Sequence, residues 1–409
     1  MAPHPTLYAF GSNGSGQLGI GHDEDVSFPT RCIFEDADTD ADYASSWNGD
    51  ASVARMVAGG NHTLVLLGDG RVYAAGCNEN GRCGSEGQSR SVSTLSSGAP
   101  NGFADDSRTL YRFRRVAVRD EETGKVYDIF RDVSATWEAT FLVPATPTVE
   151  NEDGDAVYAL GSGAKGELGL GASITQTSTA TRIPDFPPRG ACIARITSGM
   201  GHTVVVLSNG DVYGWGGARK GQLGESAIAE KIVWSPVKIE GVPFRVSDAA
   251  CGREFTVLCG ESEAGEFVVL GAAGDKWEIR AGIPISGSGT GSGSESVKGY
   301  QKIDASWHGV YVHQKDRSIL AWGRNDRGQL PPDYLQGVKQ IAVGSEHVLA
   351  LLEDRSVVAF GWGEHGNCGP GTDAQGNIKG VCGPVPLPET GFEAVGVGAG
   401  CATSWVFGS

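Results

Sequence analysis

The chain has 409 residues, a formal net charge of −16 at pH 7 and an isoelectric point near 4.9. This acidic balance disfavours a nucleic-acid surface, because contact with phosphates requires clustered lysine and arginine side chains. It favours a basic protein partner, whose encounter with the chain such a charge can accelerate. A hydrophobic content of 40% is enough to build an extensive core.

The compartment can also be inferred from composition. No stretch approaches the roughly 20 apolar residues of a membrane-spanning helix, and the opening MAPHPT lacks the basic region of a signal peptide. The nine cysteines are an odd number, and several lie in strand-like runs where they would pack as small apolar side chains. We therefore expect reduced thiols in a soluble intracellular protein of the cytoplasm, with the nucleus as a second compartment.

One short motif recurs seven times along the chain. Its first copy is LYAFGSNGSGQLG, in which an aromatic strand ends at a glycine and a Gly-Gln-Leu-Gly loop follows. The strand-closing glycines are Gly11, Gly76, Gly161, Gly216, Gly271, Gly323 and Gly361. Their spacing runs from 38 residues (Gly323 to Gly361) to 85 (Gly76 to Gly161), and the copy at Gly271 has lost the Gly-Gln-Leu-Gly part. A period near 50 residues indicates a propeller or another stacked array.

A second element precedes each of these strands. Its clearest copies are VARMVAGGNHTLVLLGDG, CIARITSGMGHTVVVLSNG and VKQIAVGSEHVLALLEDR, in which tight turns separate runs of β-branched residues. Each unit is therefore predicted to be a meander of short antiparallel strands. Residues 1–409 should form one all-β domain, a seven-bladed β-propeller. We expect Ser404–Phe407 to pair antiparallel with Leu7–Phe10, which closes the ring and removes two sheet edges.

Three surface insertions are predicted near residues 35–50, 85–109 and 284–297. The first is acidic and begins like a calcium-binding loop, but Ala41 replaces the required glycine and Trp47 the bidentate glutamate, so calcium is not expected. The second is rich in serine, and the third in glycine and serine. The stretch GSGAKG at Gly161–Gly166 fits a dinucleotide-binding pattern, but no helix start follows it.

No catalytic constellation stands out from the sequence. His62, His202 and His347 occupy equivalent positions of the repeat, which favours a structural hydrogen-bonding role. Cys77 and Cys83 lack the second pair of ligands that a zinc site would need. The chain is therefore predicted to be a non-enzyme that carries neither a cofactor nor a metal.

Function should then lie where the repeat is broken. The loops that normally read Gly-x-His instead carry aromatic and charged residues, which gives the predicted partner-binding set Trp137, Glu138, Arg253, Glu254, Trp307, His308 and Glu346. Tryptophan and arginine are the side chains most enriched among binding hot spots. The alternative is that the tryptophans fill gaps between blades.

The paired motif VYGWGGARKGQLG and GHTVVVLSNG resembles the repeat of the regulator of chromosome condensation family. The opening YAFGSNGSGQLGIGHDEDVSFPTR is similar, more narrowly, to the fungal family of α-tubulin-suppressor and killer-toxin-insensitivity propellers. The narrower resemblance implies a heterodimer with a small CSL-type zinc or iron protein. It also implies support of diphthamide synthesis on elongation factor 2 and of Elongator-dependent modification of wobble uridine in tRNA. The metal and electron chemistry would then belong to the partner.

Two other functions remain open. The broader family implies guanine nucleotide exchange on a small nuclear GTPase, although the start MAPHPTLYAF has no basic tail for docking on chromatin. A propeller module for ubiquitin ligation is the third interpretation, but we expect no ligase domain after Phe407.

Overall fold

Short antiparallel strands make up nearly all the regular structure of the computed structural model, which describes residues 4–35, 51–84, 108–145, 155–272, 274, 276–280, 297–388 and 391–408. The strands of these residues are β1 (Thr6–Gly11), β2 (Val26–Arg31), β3 (Phe34–Glu35), β4 (Val53–Ala58), β5 (His62–Leu67), β6 (Val72–Cys77), β7 (Thr109–Arg115), β8 (Val118–Arg119), β9 (Val126–Tyr127), β10 (Phe130–Ala135), β11 (Ala139–Pro144), β12 (Tyr158–Ser162), β13 (Gln176–Arg182), β14 (Ile193–Ser198), β15 (His202–Leu207), β16 (Val212–Gly217), β17 (Ile232–Lys238), β18 (Asp248–Cys251), β19 (Phe255–Cys259), β20 (Phe267–Gly271), β21 (Tyr300–Ser306), β22 (Gly309–Gln314), β23 (Ile319–Gly323), β24 (Val338–Val343), β25 (His347–Leu352), β26 (Val357–Trp362), β27 (Asn377–Pro384), β28 (Ala394–Ala399) and β29 (Thr403–Gly408). Short 3-10 turns occupy Glu79–Gly81 and Glu225–Ala227. No helix in these ranges has the length and apolar character needed to cross a membrane.

Seven sheets of the described residues stand around one axis, which confirms the predicted seven-bladed β-propeller. Blade 1 contains β4–β7 with β3 added at its edge, and blades 2 and 3 contain β10–β13 and β14–β17. Blades 4 and 5 have three strands each, β18–β20 and β21–β23, and blade 6 contains β24–β27. Blade 7 combines β28 and β29 with β1 and β2. The first strands of adjacent blades lie against one another and line a central channel.

Blade 7 closes the ring in the predicted register. Strand β1 pairs antiparallel with β29, with Leu7 opposite Phe407 and Phe10 opposite Ser404. The two inner strands of this blade, β28 and β29, come from the C-terminal part of the described chain, and the two outer strands, β1 and β2, come from its N-terminal part. Closure leaves no open seam between the first and the last blade, so no sheet edge is exposed at that point.

Apolar side chains packed between neighbouring blades form the core. Trp215 of blade 3 is fully buried and meets Phe141 of blade 2 edge-on, with ring centroids 5.4 Å apart. Phe186 packs against the same indole at 5.7 Å. Burial of each such large side chain contributes roughly 2 to 3 kcal/mol to stability. The blades are therefore joined mainly by hydrophobic contact between their faces.

The seven recurring glycines all adopt a backbone conformation that favours glycine. Their φ angles are 117° at Gly11, 107° at Gly76, 98° at Gly161, 100° at Gly216, 81° at Gly271, 119° at Gly323 and 107° at Gly361. A Cβ atom at Gly161 would lie 2.2 Å from the carbonyl oxygen of Glu138, and one at Gly361 would lie 2.6 Å from that of Glu346. Each glycine therefore lets the third strand of a blade approach the loop between the first and second strands.

Replacing Gly161 by alanine should lower the free energy of unfolding by about 3 kcal/mol, because a side chain at this φ is strained and also meets the loop carbonyl. Gly190 provides the matched control, since its φ is 75° but no atom lies within 4 Å of the place that a Cβ would take. Gly190→Ala should cost only about 1 kcal/mol. Denaturant unfolding measures both values, and equal costs would show that the close approach at Gly161 is unimportant.

The recurring histidines join consecutive blades. Nε2 of His62 lies 2.9 Å from the Thr140 hydroxyl of the next blade, which in turn donates to the Arg82 carbonyl oxygen at 2.6 Å. The same arrangement links His202 to Thr256 at 2.9 Å and His347 to Ser404 at 2.8 Å. All three imidazoles are fully buried. The structural role predicted from their register is confirmed.

The irregular units have clear structural causes. Residues 324–337, all of them described, contain no strand, so blade 5 ends at β23 and the spacing to the next copy shrinks to the 38 residues seen in the sequence. The predicted insertions lie mostly outside the described residues. At their limits, Glu35 belongs to β3, Thr109 begins β7 and Val297 is buried in the core.

Candidate partner-binding site

All seven predicted binding residues lie on one face of the propeller. Strand direction alternates within a blade, so the loops between first and second strands open on the same side in every blade. We call this side the upper face; it also carries the loops between third and fourth strands. Trp137 and Glu138 follow β10, Arg253 and Glu254 follow β18, Trp307 and His308 follow β21, and Glu346 follows β24.

Trp137 and Trp307 meet each other over the mouth of the central channel. Their ring centroids are 6.0 Å apart with an interplanar angle of 41°, although the residues come from blades 2 and 5. The guanidinium carbon of Arg253 lies 5.4 Å from the Trp307 ring. Both indoles are only partly buried, so each keeps an accessible surface. The structure therefore brings together three of the predicted residues as one group, which we call the tryptophan cluster.

Backbone hydrogen bonds between neighbouring loops hold this cluster in place. The Trp137 amide donates to the Met200 carbonyl oxygen at 3.0 Å, and its own carbonyl accepts from Gly60 at 2.8 Å. The Trp307 amide donates to Ser345 at 3.0 Å, and its carbonyl accepts from Arg253 at 3.2 Å. Each tryptophan is thus fixed to the blades on both sides of its own. A rigid aromatic surface of this kind loses little conformational entropy when it binds a partner.

Beneath the cluster, charged side chains line the channel, which has a volume of 440 Å³. The ion pairs are Arg55 with Asp132, Arg195 with Asp248, and Lys302 with Asp304. Burial lowers the pKa of Arg55 and raises the pKa of Asp248. The first two pairs each span two adjacent blades, so these charges hold the first strands together.

Glu346 and His308 form a second group beside the tryptophan cluster. One carboxylate oxygen of Glu346 lies 3.0 Å from Nδ1 of His308 and 3.0 Å from the Arg324 guanidinium, and the other accepts from the Gln329 amide at 2.8 Å. Burial alone would raise the pKa of Glu346, but hydrogen bonds from His308 and Gln329 and the charge of Arg324 lower it overall. Because Glu346 is only 4% exposed, it acts on the upper face by positioning its neighbours.

The remaining predicted residues lie in a cleft that adjoins the tryptophan cluster. Glu138 accepts a hydrogen bond from the Ser162 hydroxyl at 3.1 Å and lies 3.9 Å from the buried Arg82 guanidinium. Glu254 is exposed. Neither carboxylate belongs to the tryptophan cluster, so the seven predicted residues divide among three places on one face.

Sequence reasoning missed Trp277 and Arg324. Two cations contact the Trp277 ring, with the Lys276 ammonium 4.2 Å and the Arg324 guanidinium carbon 4.8 Å from its centroid. Its ring is also 6.2 Å from that of His308. The signal that could have found Trp277 was the loss of the Gly-Gln-Leu-Gly loop in the copy at Gly271, where GDKWEI stands instead. Arg324 lies in a copy that keeps its loop, so the sequence carried no comparable signal for it.

Replacing Glu346 by alanine should lower the free energy of unfolding by about 2 kcal/mol, because the buried Gln329 amide and the Arg324 guanidinium each lose one acceptor and keep only Asp326. The exposed Glu254 is the matched control, and its replacement by alanine should change stability by less than about 0.5 kcal/mol. Urea unfolding at pH 7 compares the two variants. A loss of equal size in both would contradict the positioning role of Glu346.

A closed ring of seven blades, each built around the same glycine-cornered strand, defines the protein as a seven-bladed β-propeller. The model of the RCC1-like domain matches residues 6–406, and the chain belongs to this family. A role in regulation and protein interaction fits that membership.

Individual relatives place the chain within the family. It is 30% identical to an RCC1 repeat-containing protein of Schizosaccharomyces pombe over 98% of both chains. It is 23% identical to the secretion-regulating guanine nucleotide exchange factor of Mus musculus, covering 96% of this chain and 82% of that protein. Among solved structures it resembles Prp20p of Saccharomyces cerevisiae, with a TM-score of 0.71 and 18% identity over 100% of this chain and 92% of that one. The last likeness concerns the fold.

Proposed function

We propose that this propeller is a non-enzymatic regulatory scaffold that binds a small CSL-type zinc or iron protein as a heterodimer. Through that partner it would support diphthamide synthesis on elongation factor 2 and Elongator-dependent modification of wobble uridine in tRNA. The structural observation that carries the proposal is the tryptophan cluster, a rigid and accessible aromatic surface on the upper face. The choice of partner rests on the resemblance of the opening stretch to the fungal propeller family.

That opening stretch also contributes to the upper face. Residues 12–25 form the loop between β1 and β2 of blade 7. The buried Asn13 holds the two ends of this loop together. Its side-chain amide donates to the His22 carbonyl oxygen at 2.7 Å, and its backbone amide donates to the Asp25 carboxylate at 2.6 Å. Asp23 and Glu24 stay exposed. The loop thus holds two exposed carboxylates on the side that carries the tryptophan cluster.

The separate roles proposed for the propeller and its partner follow from the side chains present. The propeller supplies an aromatic and cationic surface, and the buried charges of its described residues, such as Glu346 and Asp120, are engaged in ion pairs or hydrogen bonds of the fold. The partner would supply the metal and the electron chemistry. In this role the scaffold would act in the cytoplasm, with the nucleus as a second compartment.

Capture of partners from a eukaryotic lysate tests the proposal. The tagged propeller should recover a small CSL-type metal protein in a one-to-one complex, identified by mass spectrometry and confirmed with the two purified proteins. Recovery of a small GTPase alone, together with stimulated nucleotide release from it, would overturn the proposal.

Nucleotide exchange is the second candidate function. It is favoured by the similarity to the murine secretion-regulating exchange factor, which extends over 96% of this chain. Release of a fluorescent GDP analogue from a small nuclear GTPase, measured with and without the propeller, distinguishes the two candidates. A scaffold of the first kind should leave the release rate unchanged.

A further inference from the structure

A cleft on the upper face lies directly beside the tryptophan cluster. It has a volume of 610 Å³ and opens between the loops of blades 2, 3 and 4. Trp137 and Arg253 line one side of it, so the cleft and the cluster form one continuous surface. Met200, Ile232 and several glycines are also part of the lining. An extended peptide could approach the backbone closely where glycines line the cleft.

The cleft is basic although the chain as a whole is acidic. Five basic side chains line it, all of them exposed: Lys165, Arg219, Lys220, Lys231 and Arg253. Within the described residues, none of the five forms an ion pair with a carboxylate, and Arg253 contacts only the face of Trp307 through its guanidinium. These cations are therefore free to meet charges on a bound molecule.

The three carboxylates of the cleft cancel only part of the charge of its five cations. Glu138 is engaged with the Ser162 hydroxyl, and Glu167 accepts the Lys165 backbone amide at 2.6 Å. Glu254 is exposed and is the one carboxylate of the described lining for which the structure gives no hydrogen bond. The cleft thus keeps an excess of positive charge, in contrast to the −16 of the whole chain.

We propose that this cleft binds an acidic peptide segment of the partner protein. The inference deepens the proposed function, on which it rests, by naming the chemistry of the segment that lies beside the tryptophan cluster. The net negative charge of the chain attracts a basic partner at long range. At short range, the five cations that face the cleft determine which segment of that partner binds there. Aspartate and glutamate side chains would pair with these cations, while Trp137 would cover an adjoining apolar residue.

A nucleic acid fits the cleft less well than an acidic peptide does. Continuous phosphate contact requires a basic stripe without interspersed carboxylates, and Glu138, Glu167 and Glu254 all line this cleft. The surrounding acidic surface would also repel a strand that extends beyond the cleft. A short acidic segment avoids the second penalty because it can end within the cleft, and its flexible side chains can turn toward the cations and away from the three carboxylates.

Fluorescence anisotropy with the purified propeller tests the proposal. The probe is a fluorescein-labelled octapeptide of alternating glutamate and aspartate; a lysine octapeptide and an oligothymidylate of eight nucleotides serve as comparisons. The acidic peptide should bind most tightly, and its affinity should fall about tenfold or more between roughly 50 and 200 mM salt. Tighter binding of either comparison probe would overturn the proposal.

A triple charge reversal with a matched control locates the site. Lys165→Glu, Arg219→Glu and Lys220→Glu together should weaken binding of the acidic peptide by about tenfold or more. The control combines Arg119→Glu, Lys125→Glu and Lys298→Glu, three exposed residues in connections on the opposite side of the ring. It changes the net charge by the same amount and should alter the affinity less than about twofold. Equal losses in both triple variants would refute a specific cleft.

The peptide experiment and the partner experiment can fail independently. If the acidic peptide does not bind but the CSL-type protein is still captured, the cleft proposal is wrong and the proposed function stands. If the peptide binds with the expected charge dependence but no such partner is recovered, the cleft stands and the proposed function is wrong.

Discussion

Replacing both Trp137 and Trp307 by alanine is expected to weaken binding of the proposed CSL-type partner by about 100-fold or more. The two rings meet over the channel at 6.0 Å, and both are held rigidly by backbone hydrogen bonds to adjacent blades. Truncation of a central aromatic hot spot commonly costs 2 kcal/mol or more, which corresponds to about 30-fold in affinity. Isothermal titration calorimetry with the purified partner measures the loss.

The single variants make this prediction sharper. Because the rings contact each other, the double variant should lose less affinity than the sum of the two single losses, and the difference gives their coupling energy. Trp234 is the matched control, since it is a partly buried tryptophan on the outer strand β17 of blade 3, away from the channel. Trp234→Ala should leave the affinity within about twofold of wild type. Circular dichroism must show that all variants keep the fold, and unchanged affinity in the double variant would remove the tryptophan cluster as the binding surface.

The repeat predicted the parts of the fold that depend on local geometry. A glycine at positive φ is needed wherever the third strand passes close to a loop carbonyl, so all seven copies of the repeat have a glycine at this position. Buried histidines recur for a similar reason, because each must reach a hydroxyl in the next blade. The closing pair of β1 and β29 could be predicted because an unpaired strand at each end of a repeat array has one obvious partner.

The composition of the candidate site was harder to predict. Trp137 and Trp307 lie in loops of blades 2 and 5, and only the closed ring shows that their side chains meet over the axis. Their divergence from the repeat indicated the face on which they lie but not their contact. Glu346 diverges equally, yet it is buried beneath His308 because three polar side chains converge on it. The basic cleft escaped notice because its lysines lie in otherwise regular copies of the repeat.

Acidification from pH 7.5 to 5 is expected to lower the free energy of unfolding by about 6 kcal/mol through the three recurring histidines. Burial lowers the pKa of His62 to about 3 and that of His202 and His347 to about 4, against 6.5 for an unburied imidazole. The charge of Arg82 lowers the pKa of His62 further. Each ring is therefore neutral in the folded protein but takes up a proton in the unfolded chain below pH 6.5, at about 2 kcal/mol per histidine by pH 5.

The sign and the window of this effect follow from those values. A depressed pKa in the folded state gives stability that is complete above about pH 6.5 and is lost as the pH falls toward 4. The hydrogen bonds fix the tautomer of the neutral ring, since the Thr256 hydroxyl donates to the Gln222 carbonyl oxygen and therefore accepts from the Nε2–H of His202. Most carboxylates begin to take up protons only below about pH 5, and the one buried carboxyl of the described residues with a raised pKa, Asp248, would oppose the effect of the histidines. The interval from 6.5 to 5 therefore reports chiefly on the histidines.

The variant His202→Gln distinguishes the effect of histidine protonation from the loss of the hydrogen bond to Thr256. The glutamine side-chain amide can still donate to the Thr256 hydroxyl but does not titrate, so His202→Gln should remove about one third of the pH dependence. Urea unfolding at several pH values between 7.5 and 5 measures the slope, and the value at pH 7.5 serves as the internal control for damage caused by the substitution. The triple variant His62→Gln, His202→Gln and His347→Gln should be nearly independent of pH in this interval. If the free energy of unfolding of the triple variant depended on pH as steeply as that of the wild type, groups other than these three histidines would govern the acid sensitivity.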